Sequence, residues 1–456
     1  MKISLGRISL ICMIVATTLI VAGCTGSSNT ADLHSGSSAP ADAPASSPQD
    51  EPVTVTFVWE KLTDEEKEAW NESYIEPFQR KYPHIHIDFQ SVPEARDVVK
   101  VQLVSGQGPD LFIMANPADL KEYADAGLVA DLDPYVKKYG WDTIMFSWAL
   151  DATKVNGTTY AVPHGYEALL LYYNQDIMDR NGWQAPQNGE QWEEILKQAQ
   201  AQDLIPIAYG AADPAYYEWI IGYYLNNFAG AAEIKKALQG HAKLTDPFFQ
   251  GAFETMKQHW EAGYISDKQT AALSSDDSRS LFYQGKALFT FEGSWLAGEV
   301  DNIPFNFGVG SFPSLREGVP STVPIGIGAS IAINKSSKSA DAAAEFLNFI
   351  YTEEQRIAES VGAGLQPLSR TVDAALFPDT MNPKAVNILN ILQNTVKDPA
   401  HVGYTPWTFF PVKTDQYLYD NLNSVFYGKI SVSEYLQGAQ EILDQDLKDG
   451  FRFILP

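Results

Sequence analysis

The sequence predicts an α/β protein divided into two lobes, and three observations carry that prediction. Between Val53 and Met114 the pattern runs strand, helix, strand, helix, strand, the signature of a parallel sheet with crossover helices. The chain has 456 residues, enough for two bodies of ordinary domain size, each with its own core. Short apolar runs at Ala168 to Tyr173, Ile205 to Tyr209, Ala287 to Phe291, Phe307 to Phe312 and Ile325 to Ile333 then repeat the strand signal between helical stretches.

The chain opens on a targeting segment, residues 1 to 23. Lys2 and Arg7 form a positive start, Ile8 to Val21 an apolar stretch too short for a confident membrane span, and small residues follow. Val21-Ala22-Gly23-Cys24 resembles the lipobox of bacterial lipoproteins, which implies a diacylglyceryl group on the Cys24 sulfur and Cys24 as the mature N-terminus. Residues 24 to 52 are then the lipidated Cys and a Ser-, Ala-, Pro- and Gly-rich tether with no apolar period; as a flexible chain it would hold a folded body about 30 Å from its anchor. The expected location is extracytoplasmic, on the cell membrane. Cys12 and Cys24 are the two cysteines of the sequence, so the folded part has no disulfide or thiolate metal site. The formal charge of −25, or −27 once Lys2 and Arg7 are removed, argues against nucleic acid and anionic membrane surfaces as partners.

Val53 to Trp59 alternates β-branched and aromatic residues as a first strand, which Trp59-Glu60 ends. Thr63-Asp64-Glu65-Glu66 matches a capping box and opens a helix carrying Trp70, Tyr74 and Phe78, with a kink expected at Pro77 and a stop at Pro83. Ile85 to Phe89 alternates as the next strand. A helix over Asp97 to Val104 leads through Gly108-Pro109-Asp110 to the apolar strand Leu111 to Met114, followed by a helix over Ala118 to Ala126 that Gly127 closes. His164-Gly165-Tyr166-Glu167 precedes the strand at Ala168. Helices are expected over Glu190 to Gln202, from beyond the aromatic-dense stretch Asp213 to Phe228 through Gly263, and over Ala340 to Tyr351. The last ninety residues read as helical, interrupted at Tyr404-Thr405-Pro406-Trp407-Thr408.

The stretch Phe289 to Trp295 is the most suggestive. Ser280 to Gln284 reads as a helix closed by Gly285, and Ala287 to Phe291 as a buried strand, so Glu292 and Trp295 fall just past a strand's carboxyl end, where open α/β sheets bind ligands. Gly293 would permit a tight turn, and Ser294 would cap a helix starting at Trp295. With Trp59, Glu60, Asn116, Tyr166, Glu167, Trp219 and Trp407, these residues make a set of aromatics and acid or amide groups at strand ends. Aromatic faces pack on the apolar faces of sugar rings while carboxylates and amides bond hydroxyls. An anionic solute would want Arg or Lys in the set, and Lys61 is nearly all there is.

Other chemistries fare worse. Gly326-Ile327-Gly328-Ala329-Ser330-Ile331 starts like a dinucleotide fingerprint but has Ile331 in place of the third small residue, and it reads as a strand. There is no Walker A sequence and no Gly-x-Ser-x-Gly elbow. His84 and His86 share a strand face, and Asp276-Asp277 suit a helix start without an ion. Glu167 and Glu292 would form a glycosidase pair if suitably spaced, which makes a glycoside-acting enzyme one alternative. A receptor for a cationic solute such as a polyamine is another, since aromatic and acidic groups also hold cations.

Several blocks together resemble the family 1 extracellular solute-binding proteins, the lipid-anchored carbohydrate receptors of bacterial ABC importers. They are Tyr74-Ile75-Glu76-Pro77-Phe78 through Tyr82-Pro83, Gly106 to Leu111 with Gly127-Leu128-Val129, Tyr160 to Pro163 with Leu171 to Asn174, Phe282 to Ala287 with Gly293-Ser294-Trp295, Ala332 to Lys335, and Ala343 to Leu347. The resemblance implies a periplasmic-binding-protein-like fold of type II topology with the ligand cleft between lobes. Lobe one would take 53 to 160 plus 322 to 362, and lobe two 161 to 321 plus 363 to 456. It implies sugar contacts at Trp59-Glu60, at Asn116 and at Trp295, closure of a hinge around the sugar, permease subunits as partners, a monomeric state, and neither cofactor, metal nor catalysis. Trp219 and Trp407 match no motif of the family and rest on local composition.

Overall fold

The computed structural model describes residues 52–62, 64–93, 95–114, 119–212, 214–265, 272–362 and 377–454. The targeting segment, Cys24, the tether up to Glu51, Thr63 of the capping box and Asn116 lie outside these residues.

Eleven strands occur among them: β1 Val53–Glu60, β2 Ile85–Val92, β3 Leu111–Met114, β4 Lys154–Val155, β5 Thr158–Thr159, β6 Ala161–Asn174, β7 Ile205–Ala208, β8 Ala287–Gly293, β9 Phe307–Gly310, β10 Val323–Ile333 and β11 Val402–Tyr404. Nine join one sheet in the order β2-β1-β3-β10-β6-β8-β7, with β11 beside β10 and β9 beside β6, while β4 and β5 form a separate hairpin. The β2-β1-β3 end is parallel, as the early strand-helix alternation predicts. β10 runs antiparallel to both β3 and β6, and β6 antiparallel to β8, so the sheet is mixed. Asp110 anchors the start of β3: its Oδ2 accepts from the Thr56 backbone N–H (2.9 Å) and hydroxyl (2.8 Å), and its Oδ1 from the Ser337 hydroxyl (2.6 Å).

Two hydrophobic cores lie along this sheet. One gathers residues from Val55 to Val162 and from Ala329 to Tyr351; the other gathers residues from Trp148 to Ile327 and from Phe377 to Leu443. β6 and β10 are shared, because Ala161 and Val162 pack in the first core and Tyr166 onward in the second, while Ile325 and Ile327 pack in the second and Ile331 to Ile333 in the first. Where the strands change cores their register slips: Ile327 pairs Tyr166, Ala329 pairs Gly165 and Ser330 pairs Pro163, leaving Gly328 and His164 outside the ladder. Bulges of this kind bend a strand. Near-complete burial of both strands explains why they read as apolar runs and not as alternations.

The helix that follows β1 is irregular where Pro77 enters it: it passes from Asp64–Trp70 through a π-helical turn at Asn71–Ile75 into Glu76–Lys81, with Pro77 the second residue of that last piece. Two local expectations are corrected. Gly293 has an extended backbone, φ −125, so no left-handed turn demands glycine; a Cβ there would stand 2.1 Å from the Trp295 ring, and it is the indole lying over the chain that excludes a side chain. Ser294 does not cap a helix at Trp295. Its hydroxyl accepts from Ala168 N–H (3.1 Å), tying β6 to a 3-10 helix at Ser294–Asn302.

Candidate functional site

A cleft of about 360 Å³ lies between elements of the two cores. The first core supplies Asp97 and Lys100 from helix Ala95–Val104, and Asp119, Glu122 and Tyr123 at helix Leu120–Asp125. The second supplies Glu167 from β6, Glu218 and Trp219 from helix Pro214–Tyr224, Trp407 from helix Pro406–Phe409, and Val412, Asp415, Gln416 and Tyr419 from helix Val412–Phe426. Aromatic faces and carboxylates thus converge from both sides.

Each wall has a local cause. Helix Pro214–Tyr224 is apolar on nearly every side and Tyr216, Tyr217, Ile220, Ile221, Tyr223 and Tyr224 are all buried; over residues 216–224, Glu218 and Trp219 are the partly exposed ones, and both meet the cleft. It runs into a π-helical stretch, Leu225–Gly230, where Asn226 bonds Tyr404 through both its amide nitrogen (2.9 Å) and its oxygen (2.8 Å), so the helix holds β11 and the turn beyond it. That turn carries Trp407 between two threonines hooked to β10. Thr405 Oγ1 donates to the Ile325 carbonyl (3.1 Å), and Thr408 Oγ1 accepts from Ile327 N–H (2.9 Å). Across the cleft, Lys100 bonds Glu122 (2.8 Å). Among the described residues no group of three or more His, Cys, Asp and Glu is arranged to hold a metal ion.

Glu167 is a strongly perturbed acid of the cleft. Burial first, then the negative charge of Glu60, push its carboxyl up to about 8; the charge of Glu218 adds to them and the nearby Trp407 indole works against them. Glu60 itself is exposed at the end of β1, close enough to act on Glu167 without lining the cleft.

Of the residues expected from sequence, Glu167, Trp219 and Trp407 line the cleft together. Trp59, Tyr166 and Glu292 do not. Trp59 is 6% exposed and packs edge-on to Phe57 (5.7 Å between centroids) and His164 (5.3 Å). Tyr166 is buried with its edge against Phe146 (5.7 Å). Glu292 falls inside β8, paired with Leu170, because the strand continues two residues past Phe291; its carboxylate is fully buried against Arg279 (Nε to Oε1, 2.9 Å). Glu292 therefore does not stand beside Glu167 in the cleft lining. Trp295 is partly exposed one ring behind the wall, 4.6 Å from Trp219. Sequence reasoning missed Asp97, Asp119, Tyr123, Asp415 and Tyr419, which lie on ordinary amphipathic helices with nothing local to mark them, and Arg279, whose partner is thirteen residues away.

The chain matches the family described as bacterial extracellular solute-binding protein over residues 61–357. It is a bacterial extracellular solute-binding protein. Similar relatives include a maltotriose-binding protein of Pyrococcus abyssi, 26% identical over 270 residues, covering 57% of this chain and 53% of that protein. A multiple sugar-binding protein of Streptococcus mutans is 24% identical over 319 residues, covering 68% of this chain and 73% of that one. The chain therefore spans about half the length of the first and about three quarters of the second. Among solved structures, a chitin oligosaccharide binding protein superposes with a TM-score of 0.75 at 21% identity, covering 86% of this chain and 98% of its own, which establishes the shared two-lobed fold. No helix among the described residues of this solute-binding protein is long and apolar enough to cross a membrane.

Proposed function

We propose that this solute-binding protein receives a sugar or oligosaccharide in the cleft between its cores and delivers it to the permease of an ABC importer, without chemical change to the ligand. The observation that carries the proposal is the meeting of Trp219, Trp407 and Glu167 in one cleft, two indoles and a carboxyl group on a single lining. Stacking on pyranose faces and acceptor bonds to hydroxyls suit an uncharged polyol, and relatives named for maltotriose and multiple sugars support the class. The lobes of 53 to 160 plus 322 to 362 and 161 to 321 plus 363 to 456 would close on the ligand about β6 and β10. In this reading the chain works as a monomer held to the membrane by lipidated Cys24, and a Cys24→Ser chain would leave the membrane fraction.

The test is titration of the protein with mono- and oligosaccharides, amino acids and polyamines by thermal shift and calorimetry. A ligand at 100 times its dissociation constant adds about 2.7 kcal/mol to a folded state that alone binds it. We expect a shift with one sugar class, recovery of that sugar intact by chromatography, and a loss of about 2 to 4 kcal/mol in Trp219→Ala. A shift with polyamines alone, or cleavage of the sugar, would overturn the proposal.

A further inference from the structure

We infer that Glu292 is a positioning residue for the cleft, its carboxylate setting the angle at which Trp219 faces the ligand. This rests on the proposed sugar-binding function and adds to it a buried residue that fixes the stacking surface.

The two oxygens of Glu292 hold the two rings that flank Trp219. Oε1 accepts from the Tyr216 hydroxyl (3.0 Å) and Oε2 from Trp295 Nε1–H (2.7 Å). The Tyr216 ring lies 4.6 Å from that of Trp219 at 36°, and the Trp295 ring 4.6 Å from it at 43°. Trp219, partly exposed at the cleft, is thus packed between two aromatics tethered to a single carboxylate that solvent does not reach.

The carboxylate is in turn held from behind. Arg279 Nε reaches Oε1 at 2.9 Å and Nη2 reaches Oε2 at 3.4 Å, a fork that fixes the plane of the acid. The remaining arm of Arg279 bonds Glu299 (3.0 Å), which also accepts from Tyr283 on the arginine's own helix (2.7 Å). The backbone of Glu292 is fixed as well, its carbonyl accepting from the Tyr223 hydroxyl. A buried ion pair is weak grounds for a stability role, since apolar replacements of equal volume often serve as well. What an apolar pair would not supply is two directed acceptors on the rings either side of one cleft residue, the supporting shell that a binding site needs to hold its geometry.

The experiment is a double-mutant cycle on the full chain, titrated with maltotriose, N-acetylated chitotriose and xylotriose, with a circular dichroism spectrum of each variant. Glu292→Gln should weaken the best-bound trisaccharide by about tenfold or more. Combined with Trp219→Ala it should add little to the loss that Trp219→Ala causes alone, because residues that act through one another are not additive. The exciton signal of the Trp219 and Trp295 indole pair, defined by its loss in Trp219→Phe, should shrink in Glu292→Gln. Should Glu292→Gln leave Arg279 too poorly paired to fold, Arg279→Gln/Glu292→Gln removes both charges and Trp295→Phe removes the indole donor; each enters the same cycle. Unchanged affinity, or losses that simply add to those of Trp219→Ala with the exciton signal intact, would overturn the inference while leaving sugar binding standing. If the parent chain binds none of the three sugars nor any in the wider panel, the proposed function fails and this inference with it.

Discussion

At the scale of single residues, the cleft turns on how acids are treated by their surroundings. Glu167 faces an aromatic wall and two further carboxylates, and its carboxyl stands at about 8 where 4.5 is ordinary. Below pH 4.5 it is protonated in both folded and unfolded chains and contributes nothing to the pH dependence. Between 4.5 and 8 the unfolded carboxyl ionises while the folded one keeps its proton, so stability falls as pH rises, by at most about 1.4 kcal/mol per pH unit, and levels off above 8. Glu167→Gln should abolish that slope. Melting temperatures of the two proteins should therefore diverge in favour of the variant from pH 5 to 8 and run parallel beyond; a constant difference across that range would contradict the shift. Glu292 has different surroundings: it is buried, ion-paired with Arg279 and withdrawn from the cleft. Nothing within a few residues of either glutamate distinguishes them, which is why both read as candidates.

At the scale of elements, the placement of Trp407 depends on a short helix packed into the second core. Helix Pro406–Phe409 has four residues, all buried, and two threonine bonds tie it to β10. The neighbouring strand is fitted to it, since a Cβ on Gly326 would stand 2.1 Å from Thr405 Oγ1. Thr408→Ala leaves the Ile327 N–H buried without its acceptor, an expected cost of about 1 to 3 kcal/mol by denaturant unfolding. It should also weaken sugar binding by freeing Trp407, whereas a loss of stability with affinity unchanged would show that the helix is held by other contacts. The strands themselves were largely legible: β1, β2, β3, β8 and β10 lie where alternation or short apolar runs put them. The length of β6 was not. It extends from Ala161 to Asn174, seven residues earlier than its apolar run, because pairing with β10 draws Pro163, Gly165, Tyr166 and Glu167 into the ladder. A neighbouring strand made that choice, and local propensity is silent about it.

At the scale of the whole molecule, two cores share one sheet through β6 and β10, and both strands slip register where they cross between cores. A bend placed there moves one set of cleft walls relative to the other, since Asp97, Glu122 and Tyr123 belong to one side and Trp219, Trp407 and Tyr419 to the other. Addition of a bound sugar should therefore lower the radius of gyration measured by small-angle X-ray scattering, as expected when a ligand favours the closed arrangement. Identical scattering with and without saturating ligand would rule closure out.

By itself the sequence determined the α/β class, the order of most elements, the acidic character and the family, because hydrophobic period, turn residues and short motifs are local properties of the chain. It also pointed to Glu167, Trp219 and Trp407 through aromatics and acids that local core spacing did not absorb. Only the tertiary structure decided which aromatics face the cleft and which fill the core, that Glu292 belongs to Arg279, and that β6 and β10 run antiparallel through both cores. Those outcomes depend on partners tens to hundreds of residues away, and a side chain's exposure is set by whichever of them arrives to cover it.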